Sequence, residues 1–193
     1  MTTLCLIRHG QTAWNAEGRI QGQEDIPLSP LGVDQAIDLL EDFRTRRSFD
    51  EIYSSPLHRS LATAIIFTQD NRFDDVIQDN RLKERHYGFW QGMLESEVKE
   101  KYHDVWNSNW RLNGPPNGES QSQLVIRAAS FLDEILPKHE DQRVAIVSHE
   151  CLLAAMLGYI LKMPLEMHQS LRWDNCGHVW VKYTNGYPRL EFK

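Results

Sequence analysis

The sequence predicts an α/β protein, a three-layer α/β/α sandwich built around a mostly parallel sheet. The first observation is that short apolar segments alternate along the chain with helical-spacing segments of roughly 10–15 residues. The second is that the chain ends in two strand-like segments, HVWVKY and YPRLEF, joined by Asn185-Gly186, a pair typical of tight hairpin turns. A length of 193 residues suits one domain, which we expect over residues 1–193.

The first strand and the first long helix have clear boundaries. Thr2 to Ile7 is short, apolar and soon followed by Gly10, which predicts a buried strand. Ser29-Pro30 predicts the start of a helix, because serine is a good N-cap and proline suits the first helical position. Apolar residues then recur at helical spacing as far as Phe43.

The remaining elements continue this alternation of strands and helices. In chain order we expect a strand at Phe49–Ser54, a helix at Leu57–Phe67, a strand at Val76-Ile77, a helix at Val125–Leu136 that begins near Glu119, a strand at Arg143–Ser148 and a helix at Cys151–Leu161. Ligands of such sheets bind beyond the carboxyl ends of the parallel strands, so the residues that follow each strand are candidates for a site.

Composition and charge exclude several classes of protein. The net charge is −6 and the chain has no long basic run, so we expect no nucleic-acid partner. The longest apolar segment, Cys151 to Leu161, is too short to cross a bilayer, so we expect no membrane partner. The three cysteines show no paired spacing and the N-terminus does not resemble a signal peptide, which indicates a cytoplasmic protein. The oligomeric state stays open.

Polar residues follow three of the predicted strands. Arg8-His9 follows the first strand, Ser54-Ser55 follows the second, and Ser148-His149 follows the strand RVAIV. Because the carboxyl ends of parallel strands meet at one edge of a sheet, we expect these residues to lie close together. The segment 83–118 is rich in tryptophan, histidine, asparagine and proline and has poor periodicity. We interpret it as an insertion that forms a lid or specificity loop over this edge.

Five residues form the candidate catalytic group. They are Arg8, His9, Arg59, Glu84 and His149. The two arginines are permanent cations whose forked donors suit phosphate oxygens, and a neutral histidine between them offers a nucleophilic nitrogen. The second histidine, His149, would donate hydrogen bonds to the phosphoryl oxygens, and Glu84 would supply or remove the proton on the bridging oxygen. The helix that begins after His149 would offer free backbone N–H groups to bind an anion. Each residue alone also has an ordinary structural interpretation, and for Arg59 this is the helix surface.

This group suits phosphoryl transfer that needs no metal and no cofactor, since positive charge and positioning are already present. No H-x-H or H-E-x-x-H pattern occurs, so we expect no metal site. Gly10 is expected because a residue without a Cβ lets backbone approach a phosphate. His58, His103, His139, His168 and His178 are interpreted as structural or surface residues, whereas His86, close to Glu84, is a candidate for the pocket wall.

At this point the residues resemble a known family, the histidine phosphatase superfamily, also called phosphoglycerate mutase-like. LIRHGQTAWN resembles its R-H-G-x-T-x-x-N signature. Five further segments resemble family motifs in the family's order: PLSPLGVDQA, IYSSPLHRSLATA, RLKERHYGFWQG, PNGES and VAIVSHE. The resemblance implies that His9 is the nucleophile, that Arg8, Arg59 and His149 bind the phosphoryl group with Asn15 beside them, and that Glu84 is the general acid.

The resemblance also implies further contacts. Further candidates for substrate binding are Gln21, Gly22, Arg85, Tyr87 and Glu150, while Glu119 and Ser120 are candidates for positioning the lid. Glu150 departs from the family, which usually has glycine after the second histidine. A carboxylate beside an anion site is unfavourable unless it points away or binds a cationic group of the substrate.

Three functions fit these residues. The first is a phosphomonoesterase for a small phosphorylated metabolite, the second a phosphoglycerate mutase, and the third a non-catalytic module that binds a phosphorylated ligand. The phosphatase is favoured because Glu95 stands where mutases carry a lysine, and Arg111 stands alone where they carry paired arginines. Similarity to α-ribazole phosphatases makes α-ribazole 5′-phosphate a candidate substrate.

Overall fold

The centre of the protein is one mixed sheet, seen in a computed structural model that describes residues 2–44, 49–68, 76–184 and 186–191. Six strands occur within those residues: β1 (Thr3–Arg8), β2 (Glu51–Ser54), β3 (Ile77–Gln78), β4 (Arg143–Ser148), β5 (His178–Thr184) and β6 (Tyr187–Glu191). Their order across the sheet is β3-β2-β4-β1-β5-β6. The strands β3, β2, β4 and β1 are parallel neighbours, whereas β5 pairs antiparallel with both β1 and β6.

The mostly parallel sheet and the C-terminal hairpin are therefore confirmed. Each strand begins or ends within one or two residues of its predicted bounds. Asn185, one of the two residues expected in the hairpin turn, lies outside the described residues, as does Phe192 at the end of the last predicted strand.

Helices connect the parallel strands. Within the same part of the chain they are α1 (Ala13–Glu17), α2 (Pro30–Arg44), α3 (His58–Thr68), α4 (Glu95–Lys101), α5 (His103–Trp106), α6 (Trp110–Asn113), α7 (Gln121–Ile135) and α8 (Glu150–Ile160). The four long helices lie where the apolar spacing predicts them. Ser29 does cap α2, because its Oγ accepts from the N–H of Gly32 at 3.1 Å. Ser120 caps α7 in the same way, through the N–H of Gln123 at 3.2 Å.

Alternate residues of the strands face opposite layers of helices. In β1, Leu4 and Leu6 pack into the core beneath α7 and α8. Cys5 and Ile7 point to the other face, into the core beneath α2 and α3. This period of two, with apolar residues on both faces, is the pattern of a strand covered on both sides. The three-layer α/β/α fold is thus confirmed, and the strongly apolar helix α8 is buried in one of its two cores. No helix of the described residues is both long and apolar enough to cross a membrane.

The predicted insertion, residues 83–118, contains a small core of its own. Three short helices, α4, α5 and α6, surround the buried side chains of Trp90, Val98 and Trp110. The rings of Trp90 and Trp110 meet edge to face with their centroids 4.9 Å apart. Because these indoles pack mainly on one another, they stabilise the shape of the segment.

The α2 face of the sheet is closed by stacked aromatic rings, which generates a stability prediction. Trp180 in β5 is 3% exposed and stacks on Phe49 with centroids 5.6 Å apart. We expect Trp180→Ala to lower the free energy of unfolding by about 3–5 kcal/mol, because it leaves a large cavity between layers. Urea denaturation measures this change. Tyr187→Ala, on the neighbouring strand and 76% exposed, is the matched control, and a loss for Trp180→Ala no larger than for this control would contradict the assignment.

Candidate active site

Three neighbouring strands bring their ends together at one edge of the sheet. In the register of the sheet, Arg8 lies opposite Ser148, and Ser54 lies opposite Val147. The N–H of His9 donates to the carbonyl of Ser148 at 3.0 Å, which extends the β1–β4 ladder by one residue. As a result the imidazoles of His9 and His149 lie edge to face with centroids 5.1 Å apart.

The hydrogen bonds of His9 define which of its nitrogens is available. Nδ1 lies 2.6 Å from the carbonyl oxygen of Gly10, an acceptor, so Nδ1 carries the proton. Nε2 then has the lone pair, and it accepts from Nε of Arg59 at 3.2 Å. Burial lowers the pKa of His9 well below its usual value, and the charges of Arg59 and Arg8 lower it further. His9 is therefore a neutral imidazole with its Nε2 lone pair directed at a cation.

Gly10 is required for a reason other than the expected one. A Cβ at Gly10 would lie 2.3 Å from the carbonyl oxygen of Gly32 at the start of α2. The N–H of Gly10 is also taken, because it donates to Oγ1 of Thr63 at 3.1 Å. The glycine thus permits close packing of the β1 end against α2, and this packing holds the His9 backbone in place.

Arg59 is a buried cation, so its interpretation as a surface residue of the helix is wrong. It is 1% exposed. Its two Nη atoms donate to the carbonyls of Glu24 and Gly22, each at 2.7 Å. Burial lowers its pKa to about 10, although the charges of Glu84 and Asp25 oppose this. Arg59 remains charged at neutral pH, and the carbonyl of Gly22 is one of the groups that hold it.

Arg8 is paired with the residue that departs from the family pattern. Its Nη1 lies 3.3 Å from Oε2 of Glu150 and also donates to the carbonyl of Trp173. Oε1 of Glu150 lies 3.2 Å from Nε of Arg172. The carboxylate of Glu150 therefore lies between two arginines at the site, an arrangement that neither expected alternative describes in full.

Glu84 faces the cavity with its carboxyl group surrounded by protein. Oε1 accepts from the N–H of Arg85 at 2.7 Å, and Oε2 accepts from the N–H of Cys151 at 3.3 Å. The loss of surrounding water raises the pKa of Glu84, while these two N–H groups and Arg59 partly oppose the rise. The N–H of Cys151 was expected to be free for an anion, and it instead binds the carboxyl of Glu84.

His149 is held by two serines. It is fully buried, and its Nε2 lies 2.9 Å from Oγ of Ser55 and 3.2 Å from Oγ of Ser60. Its Nδ1 is buried without a hydrogen-bond partner. Burial lowers the pKa of His149 well below its usual value, and Arg59 adds to this effect. The ring is therefore neutral, with serine hydroxyls on one nitrogen.

A cavity of about 290 Å³ opens at these residues. Every predicted site residue except His149 lines it: Arg8, His9, Asn15, Gln21, Gly22, Arg59, Glu84, Arg85, Tyr87 and Glu150. Residues of the insertion complete one wall, among them Glu95, Trp106, Trp110 and Arg111. His86 is not among the lining residues. The described residues contain no group of three or more histidine, cysteine, aspartate or glutamate side chains that could hold a metal ion.

The outer candidates are mostly engaged with other protein groups. Nε of Arg85 donates to the carbonyl of Glu119 at 2.8 Å, so its guanidinium holds the insertion. The hydroxyl of Tyr87 lies 3.1 Å from Sγ of Cys151. Asn15 accepts from the N–H of Thr12 at 3.1 Å, and Gln21 accepts from the hydroxyl of Thr12 at 3.0 Å. These contacts fix the wall of the cavity around the central histidine.

Several residues of the site were not singled out from the sequence. No sequence motif assigns a role to Ser60 or Arg172. Ser60 contacts His149 and Arg172 contacts Glu150, and both contacts arise only when the chain folds. His168, interpreted as structural, is indeed buried and bonded to the carbonyl of Met163 at 3.1 Å, but it also lines the cavity beside Gln121. A neutral nucleophilic imidazole, buried arginines and a carboxyl with a raised pKa together suit transfer of an anionic group to His9.

Comparison with known proteins gives the same family that the motifs resemble. The sequence model of the histidine phosphatase superfamily (branch 1) matches residues 4–193. Phosphoserine phosphatase 1 of Hydrogenobacter thermophilus is 36% identical over 181 residues, which cover 92% of this chain and 85% of that protein. A probable phosphoglycerate mutase of Proteus mirabilis is 35% identical over 189 residues, which cover 96% of this chain and 86% of that protein.

Solved structures of phosphatases have the same fold. A mycobacterial glucosyl-3-phosphoglycerate phosphatase complexed with VO3 superposes with a TM-score of 0.89 at 30% identity, covering 98% of this chain and 96% of that one. Phosphoserine phosphatase of Entamoeba histolytica in complex with 3-phosphoglyceric acid gives 0.82 at 31% identity, with 98% and 95% covered. The α-ribazole phosphatase of Shigella flexneri gives 0.88 at 26% identity, with 98% and 94% covered.

The environment of His9 generates a prediction about its protonation. We expect the His9 imidazole to be largely neutral at pH 6, because burial and two arginines lower its pKa. Arg59→Met should raise the pKa of His9, and Arg8→Met should raise it less. Titration of ¹⁵N-histidine-labelled protein by NMR measures both effects. A wild-type His9 that is mostly protonated at pH 6 would show that this description of the site is wrong.

Proposed function

The chain belongs to the histidine phosphatase superfamily and is a phosphatase, and from that premise we propose that it hydrolyses a small phosphomonoester through a phosphohistidine on His9, without a metal ion or other cofactor. The observation that carries the proposal is the contact between Nε2 of His9 and Nε of Arg59 at 3.2 Å. It places a lone pair and a fixed cation at one point of the cavity, as attack on an anionic phosphoryl group requires.

In the first half of the proposed reaction, the phosphoryl group moves to His9. The Nε2 lone pair exchanges its hydrogen bond from Nε of Arg59 for a bond to phosphorus, while the bond from phosphorus to the ester oxygen breaks. Arg8, Arg59 and His149 stabilise the charge on the phosphoryl oxygens. Glu84, whose raised pKa favours the protonated form, gives its proton to the leaving oxygen, so that the product leaves as a neutral alcohol.

In the second half, water releases the phosphate. The Glu84 carboxylate accepts a proton from a water molecule as its oxygen attacks phosphorus. The bond between phosphorus and Nε2 breaks, and the electron pair returns to the nitrogen. Inorganic phosphate leaves, His9 is again neutral, and Glu84 again holds its proton, so the cycle closes without a net change in the enzyme.

We also propose a single domain over residues 1–193, with 83–118 as its lid and specificity segment, and a cytoplasmic location. The lid is supported by the lining residues that this segment contributes, such as Tyr87, Trp106 and Arg111. The location is supported by three cysteines without paired spacing.

Hydrolysis is favoured over transfer to a second phosphoglycerate by the charges of the insertion. Glu95 lines the cavity and would repel a substrate carboxylate, although Lys99 pairs with it at 2.7 Å. Arg111 also lines the cavity, with its guanidinium 4.6 Å from the ring centroid of Trp110, while Arg85, the other arginine that the insertion brings to the cavity, is held by the carbonyl of Glu119. α-Ribazole 5′-phosphate is a candidate substrate through the similarity to α-ribazole phosphatases, and the name of a relative adds O-phosphoserine as a second candidate.

We expect the purified protein to release inorganic phosphate from at least one of four esters: α-ribazole 5′-phosphate, O-phosphoserine, 3-phosphoglycerate and p-nitrophenyl phosphate. Activity should survive dialysis against a chelator, because Arg8 and Arg59 supply the positive charge that a metal would otherwise bring. A quench in alkaline denaturant during turnover should trap an acid-labile, base-stable phosphoprotein. His9→Ala should abolish both the phosphoprotein and the hydrolysis, and near-normal hydrolysis by this variant would overturn the proposal.

The same preparation distinguishes the alternatives. Protein primed with 2,3-bisphosphoglycerate should interconvert 2- and 3-phosphoglycerate slowly or not at all. A mutase would interconvert them far faster than it releases phosphate from any ester. A non-catalytic module would bind the esters, visible by calorimetry, and release no phosphate from any of them.

The position of Glu150 favours phosphomonoesters that carry a cationic group. Its carboxylate lines the cavity beside Arg8, so a cationic group on the substrate is attracted there and a second anion is repelled. O-Phosphoserine and 3-phosphoglycerate share one skeleton and differ by an ammonium in place of a hydroxyl. They therefore report on this interaction with little change in shape.

We expect Glu150→Gln to lower the ratio of kcat/KM for O-phosphoserine to that for 3-phosphoglycerate by about fivefold, equivalent to ~1 kcal/mol for one half-buried charge pair. Glu100→Gln, an exposed change on α4 outside the cavity, is the matched control. Steady-state kinetics with both esters measure the ratio. An unchanged ratio in Glu150→Gln would mean that Glu150 only pairs with the arginines.

A further inference from the structure

Arg127, in the middle of α7, uses its whole guanidinium within the protein. Nε and Nη2 donate to the two carboxylate oxygens of Glu119 at 2.7 and 2.9 Å. Nη1 donates to the carbonyls of Arg81 and Lys83 at 2.7 and 2.6 Å, and Nη2 also donates to the carbonyl of Glu84 at 2.9 Å. These five hydrogen bonds match the five N–H donors of a guanidinium, a number that lysine cannot supply.

Glu119 holds the other side of the same loop. Its Oε2 accepts from the N–H of His86 at 3.2 Å. Its backbone N–H donates to the carbonyl of His86 at 2.8 Å, and its carbonyl accepts from Nε of Arg85 at 2.8 Å. The ion pair of Arg127 and Glu119 therefore binds residues on both sides of Glu84 and fixes the backbone between them.

Arg127 does not reach the reacting groups directly. It is not among the residues that line the cavity, and its contact with Glu84 is to the backbone carbonyl rather than to the carboxyl. That carbonyl also accepts from Nε2 of Gln23 at 2.9 Å, so it is fixed from two directions. With its backbone fixed, the Glu84 side chain projects from a rigid support into the cavity.

From these contacts we infer that Arg127, with Glu119, is a positioning residue that aims Glu84 at the leaving oxygen. The inference rests on the proposed function, in which Glu84 gives its proton to that oxygen. Displacement of a catalytic group by ~1 Å can slow a reaction about 10²-fold. A loosened loop would slow proton transfer more than substrate binding, because Arg8, Arg59 and His9 belong to other elements.

The test compares two aryl esters that differ in how much they need an acid. p-Nitrophenyl phosphate has a weakly basic leaving group that departs without protonation, whereas the leaving group of phenyl phosphate is more basic. For Arg127→Lys we expect kcat for phenyl phosphate to fall at least about tenfold more than kcat for p-nitrophenyl phosphate, with KM little changed. Arg189→Lys, an exposed change on β6, is the control and should leave both values unchanged.

A variant that merely weakens the fold would slow both esters equally, and this result would overturn the inference, as would unchanged kinetics for Arg127→Lys. Thermal denaturation checks that each variant is folded. If Arg127→Lys does not fold, Glu119→Gln carries the same test, since it removes the ion pair and keeps the shape of the side chain. Glu84→Gln distinguishes a failure of the general-acid role of Glu84 from a failure of the positioning role of Arg127. If that variant shows no selective loss on phenyl phosphate, the general acid of the proposed function is wrong; if it shows the loss and Arg127→Lys does not, only the positioning role is wrong.

Discussion

The contact between Arg59 and His9 is the constraint on which the rest of the site depends. A guanidinium taken out of water must replace its hydration with acceptors, and the loop before α2 supplies the carbonyls of Gly22 and Glu24 for this purpose. The remaining Nε–H of Arg59 then points at Nε2 of His9. An imidazolium in direct contact with a guanidinium would be repelled by it, so this geometry also favours the unprotonated form of the histidine.

Burial shifts the acidities of the central groups in opposite senses. It lowers the pKa of His9 and of His149, because their charged forms are cations in a region that already holds two arginines. It raises the pKa of Glu84, because the charged form of a carboxyl is an anion that loses its water. One environment thus favours the unprotonated form of the two histidines and the protonated form of the carboxyl, without any group being tuned separately.

Much of this arrangement could be predicted from the sequence, for identifiable reasons. Apolar spacing located β1, β4 and the four long helices, and the rule that parallel strands end at one edge brought Arg8, His9 and His149 together. The pairing of Glu150 with Arg8 and Arg172 could not be predicted, because residue 172 reaches the site from a segment without pattern. The contact of Gly10 with Gly32 was missed for the same reason, since the approach of two backbones leaves no mark on either local sequence.

The same pKa shifts link the site to the stability of the fold. His9 and His149 have lowered pKa values, so the stability that they contribute is present above their unfolded value near 6.5 and is lost as the pH falls through their folded values. Glu84 has a raised pKa, so its contribution is present below about 4.5 and is lost as the pH rises through its folded value. A change in pH therefore alters the stability contributed by the histidines and that contributed by Glu84 in opposite directions. At neutral pH the histidines favour the fold while Glu84 does not, and a carboxyl kept at a cost to stability is a sign that its position serves chemistry rather than packing.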